Sequence, residues 1–434
     1  MSRSLRILLW LMPLALFLEC SLRPVAEPDL FFYFALIEKY LKTGAWPTTD
    51  PFVYTLPGDT LVTLHQWLGY WIYYLPYEAI GWAGSILLKT LVIGIFFCIP
   101  LIPFWRRPLP IYFPVFGTIA IFTAHHRFRE RVSLFGDLFV LLLVAGLLWL
   151  KQRRWFWHLL PLLFLLWAQV HPSFPLGWVI LATFLICERP REKLVWIASV
   201  LSVLVTLLNP MGIDGVLYPF MFSLNIEPAL HKYVVEWLPL TDSRLYQFHF
   251  LYLPFITMSP FLLWRLWTQR REAGIFEWFL LLLATALALR SVRFGLMAQG
   301  IFLSLITVTE LRRPLFMKPR RWLAISLLAL CAVCLGLKLA LSSKLSLTWA
   351  QRFYIDTAYF PEEAVNAINI MQPRLHIFNS FGYGGYLAWR WQGNPPIFFH
   401  GFSTNFQYFW RAKACFDMHD LKSTAPTEPG TDQS

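Results

Sequence analysis

Apolar runs of near bilayer length recur along almost the whole of this chain, and that repetition constrains its fold more than any single residue does. A backbone surrounded by hydrocarbon must satisfy its own hydrogen bonds, so such runs fold as helices unless they close a barrel. A bilayer-length window finds about eleven of them, roughly at 5 to 23, 83 to 104, 109 to 124, 134 to 150, 156 to 170, 174 to 187, 194 to 208, 248 to 267, 274 to 290, 293 to 310 and 322 to 342. Several are shorter than the ~20 residues of a straight crossing, which leaves room for tilted or re-entrant pieces. Of the 434 residues only 14% are charged and 57% are apolar or aromatic, against about 25% charged in soluble domains. A water-soluble globule is therefore excluded. The expected fold is an all-α polytopic membrane protein, with a transmembrane domain over 1–342 that includes a long first outer loop, 24–82. A small α+β region over 343–421 and a disordered Ser/Thr/Pro/Gly-rich tail over 422–434 follow.

The formal net charge of +12 invites a nucleic-acid partner. The cations do not support one, because they sit in short clusters between apolar runs (Arg106-Arg107, Lys151 to Arg154, Arg189/Arg191/Lys193, Arg270-Arg271, Arg312 to Arg321) instead of lining one soluble face. With a cytoplasmic N-terminus all five clusters fall on the cytoplasmic side, as the positive-inside rule requires, and the C-terminus falls outside. Twenty-one tryptophans fit rings at bilayer interfaces. Arg3 and Arg6 before the run Leu8 to Leu18 have the form of a signal peptide, yet Glu19 before Cys20 and the lack of a small-x-small site predict an uncleaved anchor. Cys20, Cys98, Cys187, Cys331 and Cys334 fall in or at the ends of apolar runs and read as small buried hydrophobes.

One outer segment breaks the charge rule. His125-His126-Arg127-Phe128-Arg129-Glu130-Arg131 is strongly basic; either it serves a function, or its arginines reach for headgroups, or a span has been miscounted. His125 with Arg129 and His126 with Glu130 also have the i,i+4 spacing of helix-surface pairs. The two histidines lack a third ligand, so no divalent metal site is assigned. In the first outer loop, Asp29 precedes the run Leu30 to Leu41, which reads as a helix along the interface with Asp29 in its first turn, where a carboxylate complements the helix dipole. Asp50 and Asp59 read as turn formers.

Several separated phrases carry a resemblance: Pro28-Asp29-Leu30-Phe31-Phe32, Gly44-Ala45-Trp46-Pro47-Thr48-Thr49-Asp50-Pro51-Phe52, His65-Gln66-Trp67-Leu68, Trp167-Ala168-Gln169-Val170-His171, Asn209-Pro210-Met211-Gly212, Glu236-Trp237, Arg290-Ser291-Val292-Arg293-Phe294 and Gly384-Gly385-Tyr386-Leu387. In this order they resemble the bacterial multi-pass proteins of the GT-C glycosyltransferase superfamily, related to the dolichyl-phosphate-mannose protein mannosyltransferases. The resemblance implies a bacterial inner-membrane enzyme that moves a sugar from a polyprenyl phosphate to an envelope acceptor, with Asp29 as the base. The family's Asp-Gly-Arg phrase after Gly-Gly-Tyr-Leu reads His400-Gly401-Phe402 here, which puts the roles of that acid and that arginine in doubt.

Such a transfer needs a carboxylate to take the acceptor proton and fixed cations to stabilise the leaving phosphate. Arg290 and Arg293, at i,i+3, would grip a phosphate or anchor to lipid headgroups; Arg127 and Arg129 are the second pair. His171 either orients the sugar or base or caps its helix, and Glu236-Trp237 pairs a carboxylate with a sugar-stacking ring or anchors at the interface. No Asp-x-Asp or Gly-rich phosphate loop is present, which favours a lipid-linked donor over a nucleotide sugar. Two further readings stand beside this one. One is a non-catalytic protein binding polyprenyl phosphate or another anionic membrane lipid in polysaccharide assembly or export; the other is a transporter, disfavoured because no ionisable residue stands out at mid-span.

Overall fold

The computed structural model describes residues 3–55, 63–107, 109–110, 112–315, 321–343, 348–371 and 376–402. The expected turn at Pro57-Gly58-Asp59, residues 316–320 of the basic cluster and the tail 422–434 lie outside these. The described residues are helical, with β structure limited to isolated bridges.

The chain divides into two compact units. One comprises Met1–Val25 and Thr63–Asp356, and the other Ala26–Val62 and Thr357–Ser434. The first outer loop thus belongs largely with the C-terminal stretch.

The larger unit is built around the helix Gly295–Arg312, in which every residue from Leu296 to Glu310 is buried. A helix apolar on all sides needs cover on all sides. It packs against Ile275–Arg290, Ser133–Ala145, Leu253–Thr268 and Phe113–Ala124. Gly300 lets Phe96 close on it, since a Cβ there would stand 2.5 Å from the ring. Arg3–Ser21 packs on Phe113–Ala124 and on Arg321–Ser343, whose Cys331 and Cys334 are buried; Cys98, by contrast, is exposed.

Among the described residues, three helices are long and apolar enough to cross a membrane: Trp82–Phe104, Ser133–Leu150 and Val292–Arg312. A fourth span results if Lys193–Leu208 and Ile213–Asn225, bent by 91°, are one broken crossing. This corrects the expected eleven. Several of the other apolar runs form shorter helices: Phe113–Ala124 has 12 residues, about 18 Å of rise against roughly 30 Å of hydrocarbon.

Lys89 lies inside the first of these spans and Asp137 inside the second. Lys89 pairs with Glu130 at 2.5 Å, both side chains almost fully buried, and Asp137 is buried in Ser133–Ala145. The ground on which transport was set aside therefore does not hold.

In the smaller unit, Pro28–Thr43 starts with Pro28 at its first position and Glu27 as its cap, and ends on Gly44 at φ 71°, a left-handed conformation that glycine adopts without steric cost. Leu30 to Ile37 are buried on every side of the helix. It packs against Gly384–Trp391, with Phe31 edge-on to Tyr386 at 5.1 Å and Glu38 accepting from Trp389 Nε1 at 2.9 Å. Gly384 and Gly385 have ordinary helical backbone and are not in a turn that needs a positive φ. Their glycine is required by contact, because a Cβ at 385 would lie 2.2 Å from the Pro28 carbonyl oxygen. Glu362–Met371 supplies a further helix of this unit. The β part expected of the region 343–421 is reduced, among the described residues, to isolated bridges: Ile377 and Val53 each make a single one to Ile397.

Candidate functional site

The basic segment is positioned by the end of a helix. Phe113–Ala124 stops at Ala124 and a 3-10 turn, His125–Arg127, follows. The i,i+4 pairs expected over 125 to 130 therefore do not form as helix-surface pairs. His125 Nδ1 bonds the Phe122 carbonyl at 2.6 Å, His126 Nδ1 bonds the Thr123 carbonyl at 3.1 Å, and Glu130 turns to Lys89. Arg127 is buried and Arg129 is exposed.

Three arginines, two from this segment and one from the 3-10 turn that precedes the central helix, converge on one carboxylate. Arg127 Nη1 donates to Glu236 Oε2 at 3.4 Å, Arg131 Nη1 donates to the same oxygen, and Arg293 Nη1 donates to Oε1 at 2.8 Å. Burial alone would raise the Glu236 carboxyl; Arg131, Arg293 and Arg127 outweigh it and hold the group far below the ordinary carboxylate range. Burial, then repulsion from Arg293, lowers Arg127 to about 10. Arg127 Nη2 donates to Ser133 Oγ at 3.0 Å, while its Nε is buried with no hydrogen-bond partner among the described residues.

Arg290 does not join Arg293. The helix Ile275–Arg290 ends at Arg290, Ser291 is extended at φ −159°, and Arg293 begins in a new 3-10 turn. The helical i,i+3 geometry is thereby lost, and no forked grip by this pair forms. Arg290 instead donates to Glu227 Oε1 at 2.7 Å, an oxygen that His231 also bonds while Ser223 Oγ donates to Oε2, and its own side chain is 57% exposed. Trp237 is buried, and Arg293 lies 4.5 Å from its ring centroid. The ring face over which the Arg293 guanidinium lies is therefore not open for stacking.

His171 caps Arg154–Val170 through its backbone N–H, which bonds the Trp167 carbonyl at 2.9 Å. Its Nδ1 accepts from the Ser173 backbone N–H at 3.2 Å and meets Ser173 Oγ at 2.8 Å. Burial, then Arg293, His65 and Arg127, holds its pKa well below the ordinary histidine value, so the ring is neutral. Gly136 permits this approach, since a Cβ there would fall 2.7 Å from His171 Nδ1.

Sequence reasoning missed Asp137. It is 4% exposed, Arg127 and Arg293 act on it electrostatically, and its Oδ2 has no hydrogen-bond partner among the described residues. The signal was an acid inside the apolar run 134 to 150. Arg131 was likewise visible only as one more cation of its segment.

In the smaller unit, Asp29 lies in the first turn of its helix, its backbone N–H donating to Glu27 Oε1 at 3.3 Å. A Cβ at Gly401 would lie 3.0 Å from Asp29 Oδ1. Asp50 forms the expected turn, accepting from Phe52 N at 2.9 Å, and also bonds His400 Nε2 at 2.6 Å. Phe402 N donates to His400 Nδ1 at 3.1 Å, so both ring nitrogens are engaged.

No group of His, Cys, Asp and Glu suited to a metal ion occurs among the described residues. No protein-family model matches the chain, and no curated protein matches it.

Proposed function

We propose that the chain is a membrane glycosyltransferase of GT-C type that takes a polyprenyl-phosphate-linked sugar at the extracytoplasmic side of a bacterial inner membrane and passes the sugar to an envelope acceptor. The observation that carries this reading is the convergence of Arg127, Arg131 and Arg293 on Glu236, with a buried Arg127 Nε–H lacking an acceptor. Oriented guanidinium groups in a partly dry setting suit a phosphate whose charge grows as the sugar leaves. Asp29 has the role of proton acceptor. Arg290 and Arg129 drop out of the phosphate set, the first because Glu227 holds it and the second because it is exposed.

Binding without transfer is the second reading. His400 stands in the phrase where the resemblance implies an acid, and both of its nitrogens are committed to Asp50 and Phe402. Transfer of radiolabel from a panel of polyprenyl-phosphate sugars in proteoliposomes separates the two. Label incorporated by wild type and lost in both Asp29→Asn and Arg127→Ala/Arg293→Ala supports the enzyme. Lipid binding that depends on the arginines, with no transfer from any donor, favours the binding protein; no arginine-dependent binding at all ends both.

A further inference from the structure

We infer that Asp137 is a ligand-binding residue that accepts a hydrogen bond from a sugar hydroxyl next to the phosphate held by the arginines. The inference rests on the anion reading above and adds a second half to that site.

Asp137 lies one helical turn after Ser133, on the same face of Ser133–Ala145, and Ser133 Oγ accepts from Arg127 Nη2 at 3.0 Å. The carboxylate therefore stands on the face to which Arg127 is tied, in the fields of Arg127 and Arg293. The next residue back is Gly136, against which the neutral His171 ring is packed. The polar inventory is then unbalanced in a particular way. Arg127 Nε is a buried donor without an acceptor, and Asp137 Oδ2 is a buried acceptor without a donor, among the described residues. Unmade hydrogen bonds of buried polar groups are costly, most of all for charged ones. A group that brings an oxyanion alone answers Arg127 and repels Asp137. One that brings an oxyanion and a neighbouring hydroxyl answers both. A sugar attached through its phosphate has that chemistry, and a bare polyprenyl phosphate has half of it. An ionisable residue inside an apolar span otherwise has little reason to be there.

The test measures equilibrium binding of two lipids to the purified full chain in detergent: a short-chain polyprenyl phosphate, and the same lipid with hexose on its phosphate. Asp137→Asn removes the negative charge and keeps the shape. The expected result is roughly tenfold weaker binding of the sugar-bearing lipid, as loss of one hydrogen bond to a charged group implies, with bare phosphate binding unchanged or tighter. Asp137→Asn that weakens both lipids alike, or neither, overturns the inference and leaves the anion reading standing. Wild type that binds neither lipid overturns both. If Asp137→Asn does not fold, wild type with the 2-deoxy sugar lipid serves instead. A deoxy analogue that binds as tightly as the parent, for each hydroxyl tried in turn, overturns the inference, and roughly tenfold weaker binding of one of them supports it.

Discussion

Arg293 and Glu236 are joined by a 2.8 Å hydrogen bond, and the same guanidinium lies over the ring of Trp237, the residue after its partner. The carboxylate also receives Arg127 and Arg131, so it is the pivot of the cluster. Removing it leaves buried cations without their shared acceptor. Glu236→Gln should lower stability by about 3 kcal/mol, as loss of one member of a buried ion pair does. It should also make inorganic phosphate a stronger stabiliser of the variant than of wild type, because the anion then replaces the lost charge. Thermal unfolding with and without phosphate measures both effects; equal phosphate shifts in the two proteins would count against an anion site.

Lys89 and Glu130 form the most deeply buried ion pair described, at 2.5 Å with side chains 1% and 2% exposed. Lys89 sits in a membrane-length helix and Glu130 in the segment that carries Arg127 and Arg131. Lys89→Met alone strands a buried carboxylate and should cost about 3–5 kcal/mol. Lys89→Met/Glu130→Leu removes both charges and should recover part of that loss, giving a measurable coupling in a double-mutant cycle. Additive losses would mean that the pair is not coupled.

The helical class was legible because apolar runs cannot satisfy their backbones in hydrocarbon any other way. The number of crossings was not. Hydropathy registers that a run is apolar, but helix length depends on where the backbone turns, and the run 109 to 124 yields a helix of only 12 residues, Phe113–Ala124. The same limit governs Leu30 to Ile37, whose apolar sides meet protein. Nothing in the spacing told a buried helix from one lying on a membrane.

For the site, the sequence singled out Arg127, Arg293, Glu236 and His171, which lie in one unit: Arg127 and Arg293 both donate to Glu236, and His171 lies in the fields of the two arginines. It also joined Arg290 to Arg293 by helical spacing that Ser291 breaks. Asp137 escaped notice because a single acid hardly lowers the mean hydropathy of a long run. Its meaning comes from cations more distant in sequence.

Gly136 is a steric requirement of the site. A Cβ at that position would lie 2.7 Å from both His171 Nδ1 and Ser173 Oγ, so Gly136→Ala must push the ring away. The expected cost is about 1–3 kcal/mol, typical of overpacking, together with weaker binding of the lipid phosphate as the neighbouring helix shifts. An alanine variant as stable as wild type would show that the ring moves freely and is not held for a purpose.

Asp50 and His400 make the smaller unit sensitive to acid in a direction fixed by the carboxylate. Burial would raise the Asp50 carboxyl, but His400 and the Phe52 and Val53 backbone N–H groups together bring it below its ordinary value. A carboxylate lowered in the folded state contributes stability that is present in full above its unfolded pKa of about 3.9 and is lost as pH falls through the folded value. Wild type should therefore lose stability in this unit only in strong acid. Asp50→Asn should be less stable at pH 7 and should show a shallower decline between pH 5 and pH 2, since the proton-binding difference has been removed. Amide hydrogen exchange at Phe402, whose N–H donates to the His400 ring, reports on this unit alone. Equal protection at pH 7 in wild type and variant would show that the buried pair contributes nothing to holding the segment in place.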